Sequence, residues 1–321
     1  MTPKKLMTPE HEPDLSPAGG QGSSGRAPAP VSKPGFYQLR SPDLDRMAHY
    51  YEDALGFVVT ERTDSAVYLT TSTEHHCVVI ERGPADGRQA LGFEVAAPLD
   101  EVQRDLRALG ISSELRSDAQ PGIPASLVLP EHGTATPLHL YPEQVPTGSP
   151  SSLGIRPSKL GHVASYVEDL DATQSFYTDV LGFRWSDIIG DFFTFLRCNT
   201  DHHAINLMRS TRKRGLFHVA YEMRDINHLK DALDHLARRE IRLEWGPGRH
   251  GAGHNIFTYH RDPDGNLVEL FTELDVVPDD RTAYFEPRPW HESWPQGPQV
   301  WEPGVEAANK WGPVDPEMVA H

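Results

Sequence analysis

Two histidines and one glutamate in the second half of the chain have the residue types and the setting of a metal site. His162, His218 and Glu269 each lie in a short apolar run of the kind that forms a β-strand. Two imidazoles and one carboxylate can occupy one face of an octahedral ion and leave its other positions open. This set of ligands suits non-heme Fe(II), which must hold a substrate and O2 side by side. The pattern therefore predicts an oxygenase.

The elements that must position these residues occur twice, because the chain repeats itself. Residues 36–57 match residues 162–183 at a constant offset of 126, and residues 68–76 match residues 195–203 at an offset of 127. Each copy has the pattern of two units, and each unit has a strand, a helix and three further strands. The sequence therefore predicts an α+β protein of four βαβββ modules in two tandem domains.

The predicted boundaries follow this repeat and the changes in composition. Residues 1–33 are rich in Pro, Gly and Ser and are predicted to form a disordered tail. An N-terminal domain without metal is predicted at 34–145, and a catalytic metal-binding domain at 155–275. Residues 276–321 are predicted to form a C-terminal arm that packs on its own domain, covers the active site or contacts a neighbouring subunit. This arm is rich in proline and has four of the six tryptophans, namely Trp290, Trp294, Trp301 and Trp311.

Strand geometry adds a phenol and an imidazole to the predicted metal site. If the turn at Asp262–Asn266 closes a hairpin, Tyr259 pairs with Glu269, and cross-strand partners share a face of the sheet. His250 lies in the loop Gly-Pro-Gly-Arg-His-Gly, which is flexible enough to direct an imidazole at the site. His254, four residues later, is its rival for this position.

A pair of adjacent histidines offers one further imidazole. His203 is predicted to lie on a short strand, 15 residues before His218. Its rival is His202, because neighbouring residues of a strand face opposite sides. The pair His75-His76 in the first copy matches this pair, but no metal triad accompanies it. We therefore interpret His75 and His76 as structural.

The motifs of the second copy resemble those of a known family. Their order is Gly-Arg-His250, then Tyr259, then Asp262-Pro-Asp-Gly, then Val-Glu269. With them, residues 34–275 resemble the type I, two-domain extradiol dioxygenases of the vicinal oxygen chelate superfamily. The resemblance implies the glyoxalase-like fold of that superfamily. It also implies cleavage of a catecholic ring by O2 next to the vicinal diol, as in the catabolism of aromatic hydrocarbons.

The resemblance also assigns roles to individual residues. It implies that the metal ligands are His162, His218 and Glu269. It implies that the acid–base and orienting residues are His203, His250 and Tyr259. The expected cofactor is Fe(II), with Mn(II) as the alternative that the same ligands admit. The first copy is expected to hold no metal, because its three matching positions are Phe36, Glu94 and His139.

Composition limits the partners and the location. The net charge of −16 argues against nucleic acids and anionic membranes as partners. The chain contains no apolar run of about 20 residues that could span a bilayer, and its N-terminus lacks the apolar core of a secretory signal. Two cysteines, Cys77 and Cys198, do not make a disulfide framework. We therefore expect a cytoplasmic protein. The resemblance implies that its partners are a catecholic small molecule and O2, and a homo-oligomer is the expected assembly.

Three other classes of protein remain as alternatives. A glyoxalase-like lyase or isomerase resembles this chain in fold but uses four protein ligands, and Phe36 counts against a shared site. A drug-binding or resistance module would need no additional histidine and tyrosine beside the metal. A catalytically inactive storage or interaction protein would act through the C-terminal arm. Metal analysis and O2 uptake with catechols distinguish these classes.

Overall fold

A computed structural model describes residues 26–85, 87–134, 136–147 and 155–314. These residues form four successive βαβββ modules, two in each half of the chain. The first half contains β1 (Val31–Ser41), α1 (Leu44–His49, continued by a π-helical turn at Tyr50–Ala54), β2 (Val58–Arg62), β3 (Ala66–Thr70), β4 (Val78–Arg82), β5 (Arg88–Val95), α2 (Leu99–Ala108), β6 (Glu114–Gln120), β7 (Ile123–Pro130) and β8 (Pro137–Tyr141). The second half contains β9 (Lys159–Val167), α3 (Leu170–Ser175, continued by a π-helical turn at Phe176–Val180), β10 (Arg184–Ile189), β11 (Phe193–Arg197), β12 (Ile205–Arg209), β13 (Gly215–Glu222), α4 (Ile226–Arg238), β14 (Leu243–Arg249), β15 (Ile256–Arg261) and β16 (Leu267–Thr272), followed by β17 (Gln299–Trp301) and α5 (Val305–Ala308). The predicted fold class is confirmed.

Each half forms one mixed sheet from two modules. The first sheet has the order β2-β3-β4-β1-β5-β8-β7-β6, and the second has the order β14-β15-β16-β13-β9-β12-β11-β10-β17. The first strands of the two modules pair antiparallel at the centre, and each first strand pairs parallel with the last strand of its own module. The strand β17 extends the second sheet because it pairs in parallel with β10.

Alternation along the central strands separates the core from the site. Side chains on a strand point alternately to opposite faces of the sheet. On β9, β13 and β16, one set of alternate residues joins the main apolar core, namely Val163, Val167, Val219, Tyr221, Val268 and Leu270. The intervening residues on the opposite face include His162, His218 and Glu269. The apolar runs around these three polar residues therefore hold the strands in place while the polar side chains face away from the helices.

An aspartate caps the first helix of each half. The Asp169 carboxylate accepts a hydrogen bond from the backbone N–H of Ala172, and Asp43 accepts one from Arg46 in the first half. Such side-chain caps satisfy backbone donors that have no partner within the helix. Gly182 follows the helical segment with a φ of +76°, a left-handed conformation that glycine adopts at little cost.

The two halves share one apolar core. The main cluster of buried side chains includes Tyr37 and Phe93 from the first half and Tyr177 and Tyr221 from the second. The Tyr221 hydroxyl donates a hydrogen bond of 2.9 Å to the Tyr37 hydroxyl across this boundary. The helix-bearing faces of the two sheets therefore contribute to one core, and the opposite face of the second sheet carries the pocket.

The predicted N-terminal tail overlaps the first strand. The predicted tail at 1–33 lies outside the described residues up to residue 25, and β1 begins within it at Val31. The division at 34–145 and 155–275 into two domains stays a prediction, as does the oligomeric state. No helix among the described residues is long and apolar enough to cross a membrane.

Candidate metal centre and catalytic pocket

Three adjacent strands bring the predicted metal ligands together. β13 lies between β9 and β16, and Ala220 on β13 is in register with His162 on one side and Glu269 on the other. His218 precedes Ala220 by two residues and therefore shares its face of the sheet. The three side chains thus converge from neighbouring strands although 107 residues of chain separate the first from the last.

The geometry and the charge of this cluster fit a divalent cation. The Nε2 atoms of His162 and His218 are 3.1 Å apart, and they lie 3.1 and 3.2 Å from Glu269 Oε2. Three donors about 2.2 Å from one ion, with bonds at right angles, would show separations of roughly 3.1 Å. All three side chains are buried. A nearby cation stabilises a buried carboxylate, and neutral imidazoles bind metal ions through their lone pairs. The donor set therefore suits a bound ion.

The protonation states are also those that a metal site needs. Burial lowers the pKa of His218, so its imidazole is neutral and its lone pair is available. Burial favours the neutral form of Glu269, but His162 and His218 hold the pKa of that carboxyl well below its usual range. Metal ligands must be deprotonated, and these two groups are.

Two residues predicted from strand parity and loop position lie beside the carboxylate. Tyr259 pairs with Glu269 in the β15–β16 ladder, as predicted, and its hydroxyl donates a 3.0 Å hydrogen bond to Glu269 Oε2. His250 Nε2 is 3.2 Å from the Tyr259 hydroxyl. Burial raises the pKa of Tyr259 well above its usual value and lowers that of His250 to about 4. The phenol is therefore protonated and the imidazole neutral.

Sequence reasoning missed one residue of this cluster. Asn255 Nδ2 donates a 2.9 Å hydrogen bond to Glu269 Oε1 and so occupies the carboxylate oxygen that does not face the histidines. Asn255 lies in the loop between His250 and β15, and no periodic pattern marks it. A second-sphere amide of this kind holds the orientation of the carboxylate.

His203 lies on the other side of the triad, against His162. The centroids of these two rings are 4.4 Å apart, and the His203 ring lines the pocket. Burial, reinforced by the neighbouring imidazoles of His162 and His202, lowers the pKa of His203 well below its usual value. Its Nδ1 atom is 2.9 Å from Nδ1 of His202, so its Nε2 atom is the ring nitrogen left for the pocket.

The rival imidazoles lie behind the pocket rather than in it. His202 faces Asp187, with 3.1 Å between Nε2 and Oδ2, although the ring N–H is not aligned on that oxygen. His254 is held by Asp275, whose carboxylate Oδ2 lies 2.7 Å from its Nδ1 atom. His291 of the arm contacts the other oxygen of Asp275 at 2.9 Å. Neither His202 nor His254 lines the pocket.

The triad forms the floor of an apolar cavity of about 350 Å³. Aromatic and aliphatic side chains from β10, β11, β12, β13 and β14 form its walls, and the arm closes one side. These wall residues are Ile189, Phe192, Phe193, Phe195, Met208, Phe217 and Trp245, with Pro303, Gly304, Ala307 and Ala308 from the arm. The predicted site residues are thus gathered at one end of a pocket that can hold a small molecule.

A family comparison identifies the relatives of this fold. The model of the Glyoxalase/Bleomycin resistance protein/Dioxygenase superfamily matches residues 33–116 and 159–270. One matched range lies in each half of the internal repeat. The chain belongs to this superfamily.

Individual members of the superfamily resemble the chain over different lengths. Metapyrocatechase 2 of Cupriavidus necator is 30% identical over 51% of this chain, and the match spans only 47% of that protein. Metapyrocatechase of Pseudomonas sp. (strain CF600) is 27% identical over 75% of this chain and 86% of its own length. The crystal structure of homoprotocatechuate 2,3-dioxygenase from Arthrobacter globiformis covers 93% of this chain and 94% of its own, with a TM-score of 0.79 and 23% identity. This last likeness shows the shared fold.

The first half of this superfamily member has no equivalent metal triad. Phe36 lies where His162 lies in the second half, as expected, and His139 lies where Glu269 lies. The assignment of Glu94 to the third position was wrong. Phe36 is in register with Gly92 as His162 is with Ala220, so the counterpart of His218 is Ala90. Two of the three positions therefore carry hydrocarbon side chains.

The arm packs on the second half, but its tryptophans are less buried than expected. Trp294 and Trp311 are 60% and 54% exposed, and Trp290 and Trp301 are half-buried. The buried residues that hold the arm in place are smaller or more polar, namely Phe285, His291, Gln296, Ala307, Ala308 and Asn309. Two of the four tryptophans are therefore mostly exposed. Residues of the arm line the pocket, in agreement with the alternative that the arm covers the active site.

Truncation before Pro287 tests what the arm contributes. The shortened chain loses the arm's wall of the cavity and the β17–β10 pairing, so we expect the KM for substrate to rise at least about tenfold. Its Tm should fall by about 5 °C or more, because each kcal/mol lost from the free energy of unfolding lowers the Tm of a protein of this size by a few degrees. Steady-state kinetics and calorimetry measure both. Trp294→Ala is the control and should change neither the KM nor the Tm. If the truncated protein kept the wild-type KM and Tm, the arm would have no role in the pocket or in stability.

Proposed function

We propose that the protein is an extradiol dioxygenase that cleaves a catecholic ring with O2 next to its vicinal diol. The observation that carries this proposal is the buried set of His162, His218 and Glu269 at the floor of an apolar pocket. Additional proton-carrying groups flank it on two sides, His203 beside His162 and Tyr259 beside His218, with ring centroids 4.4 and 5.3 Å apart. Reactants bound at this floor of the pocket would therefore have a proton-carrying group on either side.

Fe(II) is the cofactor we propose for this site, and Mn(II) is the alternative. An Fe(II) ion held by His162, His218 and Glu269 would supply a Lewis acid that binds both diol oxygens and a redox centre that binds O2 beside them. The ligand set of two imidazoles and one carboxylate admits both metals. Metal analysis of the anaerobically purified protein, with activity measured after reconstitution by each ion, distinguishes them.

Tyr259 and His250 are proposed to orient the diol. The Tyr259 hydroxyl is protonated and already hydrogen-bonded to Glu269, so it can position a substrate oxygen without itself taking a charge. His250 is neutral, with its Nδ1 atom 2.6 Å from the backbone carbonyl of Ala308. Since a carbonyl only accepts, Nδ1 carries the proton of the neutral ring, and Nε2 can accept a proton from a diol hydroxyl.

His203 is proposed as the acid–base residue on the O2 side. Its contact with His202 leaves Nε2 directed toward the pocket, where it can hold a proton and donate it to developing negative charge on oxygen. The buried Asp187 carboxylate lies behind His202 and favours a proton on His202 Nε2, because two lone pairs at 3.1 Å would repel. With that proton on Nε2, His202 Nδ1 accepts from His203 Nδ1. His203 Nε2 therefore faces the pocket first as a base, and the proton that it later donates is one that it has taken up there.

Asp187→Asn tests this arrangement behind His203. The carboxamide removes the negative charge and provides one acceptor where Asp187 now accepts from both the Gln299 backbone N–H and the Trp301 indole. We expect kcat to fall about tenfold while metal content and KM stay within about twofold. The reason is that the tautomers of His202 and His203 would no longer be fixed. Steady-state kinetics and metal analysis measure this.

A matched control for Asp187→Asn lies in the first half of the chain. Glu61 occupies the position that corresponds to Asp187 and lies 3.6 Å from His75 Nε2, but no metal triad accompanies it. Glu61→Gln should therefore leave kcat unchanged. A wild-type kcat in Asp187→Asn would show that the carboxylate has no part in positioning His203.

O2 uptake during conversion of a catechol tests the proposed function as a whole. The expected result is one O2 consumed for each catechol, with the yellow absorbance of a ring-opened semialdehyde appearing at the same rate. Catechol that is converted without O2 uptake would indicate a lyase or isomerase of the same superfamily. Binding without conversion by the metal-loaded protein would indicate a binding module. A cytoplasmic location and a homo-oligomeric assembly are further expectations that this assay does not measure.

A further inference from the structure

We infer that the substrate is a catechol with an uncharged, apolar substituent of about the size of a second ring. This inference rests on the proposed function, since it assumes that the diol binds at the metal centre. It concerns the remainder of the pocket, which the reaction itself does not use. Three features of the pocket support it independently, namely the charge of its walls, their shape and the volume of the cavity.

The walls offer no counter-charge to an acidic substituent. No lysine or arginine among the described residues lines the cavity. Arg249, which is next to His250, is buried and engaged elsewhere, because its guanidinium donates to the His254 carbonyl and to Glu273. A carboxylate brought into this pocket would lose its hydration without gaining an ion pair, which is unfavourable in protein interiors.

Two apolar clusters contribute walls to the pocket that contains the triad. One consists of Ile189, Phe195, Ala252 and Ala307, with Phe192 and Phe193 packed against it. The other includes Phe217 and Trp245, which pack against Phe257 and Tyr259. The rings of Phe193 and Phe217 come within 6.2 Å of each other, centroid to centroid, and join the two walls. A flat, apolar substituent between them would bury its faces against aromatic rings.

The volume of the cavity exceeds what one ring needs. An apolar cavity of about 150 Å³ holds benzene, and this cavity of about 350 Å³ is more than twice as large. A catechol at the triad would therefore leave space for a phenyl group or a short alkyl chain. Unsubstituted catechol would leave that space to water between apolar walls.

Asn206 is the one wall residue that is polar and has no contact with Glu269 or the other proposed site residues. It is buried on β12, and its Oδ1 atom has no hydrogen-bond partner among the described residues. A carboxamide can form a hydrogen bond with a neutral polar atom of the substrate but carries no charge to balance a carboxylate. The presence of Asn206 is therefore compatible with a neutral substituent. It does not alter the expected preference for an uncharged substituent over an acidic one.

A panel of substrates tests the inference. The metal-loaded protein is given phenyl-substituted, ethyl-substituted and unsubstituted catechol, together with dihydroxybenzoate and dihydroxyphenylacetate, which carry a carboxylate. We expect kcat/KM for the phenyl and ethyl compounds to exceed that for both acids by at least about 100-fold, the cost of an unpaired buried carboxylate. Cleavage of the acids at equal or higher kcat/KM would overturn the inference and leave the proposed function intact. If no catechol is cleaved, the proposed function itself fails.

A variant at the mouth of the pocket tests the reason for the preference. Phe193→Arg places a cation on the half-buried rim, where its head can reach solvent. We expect the ratio of kcat/KM for dihydroxyphenylacetate to that for phenylcatechol to rise at least about tenfold. Tyr284→Arg adds the same charge at an exposed position of the arm that does not line the cavity, and should leave the ratio unchanged. An equal ratio in both variants would show that charge in the wall does not determine the substrate.

Discussion

His218→Ala is expected to leave the protein folded but without most of its metal, and ring cleavage should fall below about 1% of wild type. The substitution removes one of three donors whose atoms lie 3.1 to 3.2 Å apart, and alanine cannot replace it. Loss of a residue that merely supports a ligand costs 10- to 100-fold in metal affinity, so loss of a ligand should cost more. Metal analysis and O2 uptake on the purified variant measure both effects.

His49→Ala is the control for this experiment. His49 is exposed at the end of α1, so its loss should change neither metal content nor activity. Circular dichroism of His218→Ala should match that of the wild type, since the core on the other face of β13 is unchanged. A purified His218→Ala protein with full metal content and activity would show that the triad is assigned wrongly. Variants of His162 and Glu269 should behave as His218→Ala does.

His203→Asn is expected to keep the metal and the substrate but to slow turnover by about 100-fold or more. A positioned acid–base group contributes roughly 10²- to 10⁴-fold to a rate. Asparagine retains a polar side chain of similar reach, so the pocket should stay closed to water while the transferable proton is lost. The anaerobic substrate complex, titrated by its absorption spectrum, should show an unchanged Kd, and single-turnover kinetics should show the slower step.

His202→Asn separates the two neighbouring imidazoles. His202 lies behind His203 and does not line the pocket, so its replacement should act only by releasing His203 from its Nδ1 contact. We expect a smaller loss of kcat than in His203→Asn, of about the size expected for Asp187→Asn. A larger loss in His202→Asn would assign the acid–base role to His202 instead.

Local and repeated patterns in the sequence predicted most of the fold and the arrangement of the site. The turn Asp262–Asn266 sets the register of a short hairpin, and the partner of Glu269 in that ladder follows by counting residues. The internal repeat aligned His162 with Phe36 and Glu269 with His139, and so placed each of them on a strand that has a counterpart in the first half. These inferences succeeded because register and strand parity depend on neighbouring residues and on a duplicated order of elements.

Contacts over long sequence separations could not be predicted in this way. Asp187 meets Trp301 of the arm 114 residues later, and nothing local to either residue indicates the contact. A signal for Asp187 did exist, because Glu61 stands at the matching position of the repeat. The assignment of Glu94 failed because β5 has no turn or motif that sets its register, and the pairing of Phe36 with Gly92 moves the third position to Ala90.

Phe36 makes a metal ligand hard to introduce at its position in the first half. Its ring contacts His76 and His139 and stacks on Tyr141, and a side chain at Gly92 would collide with it. Removing such a buried ring costs about 3 to 5 kcal/mol, which is a large part of the stability of a typical domain. A histidine at this position would regain a ligand but would leave a gap in an otherwise filled interior. Evolution of a second metal site by single substitutions would therefore pass through unstable intermediates, so the division of labour between the two halves is protected by packing as well as by the absence of ligands.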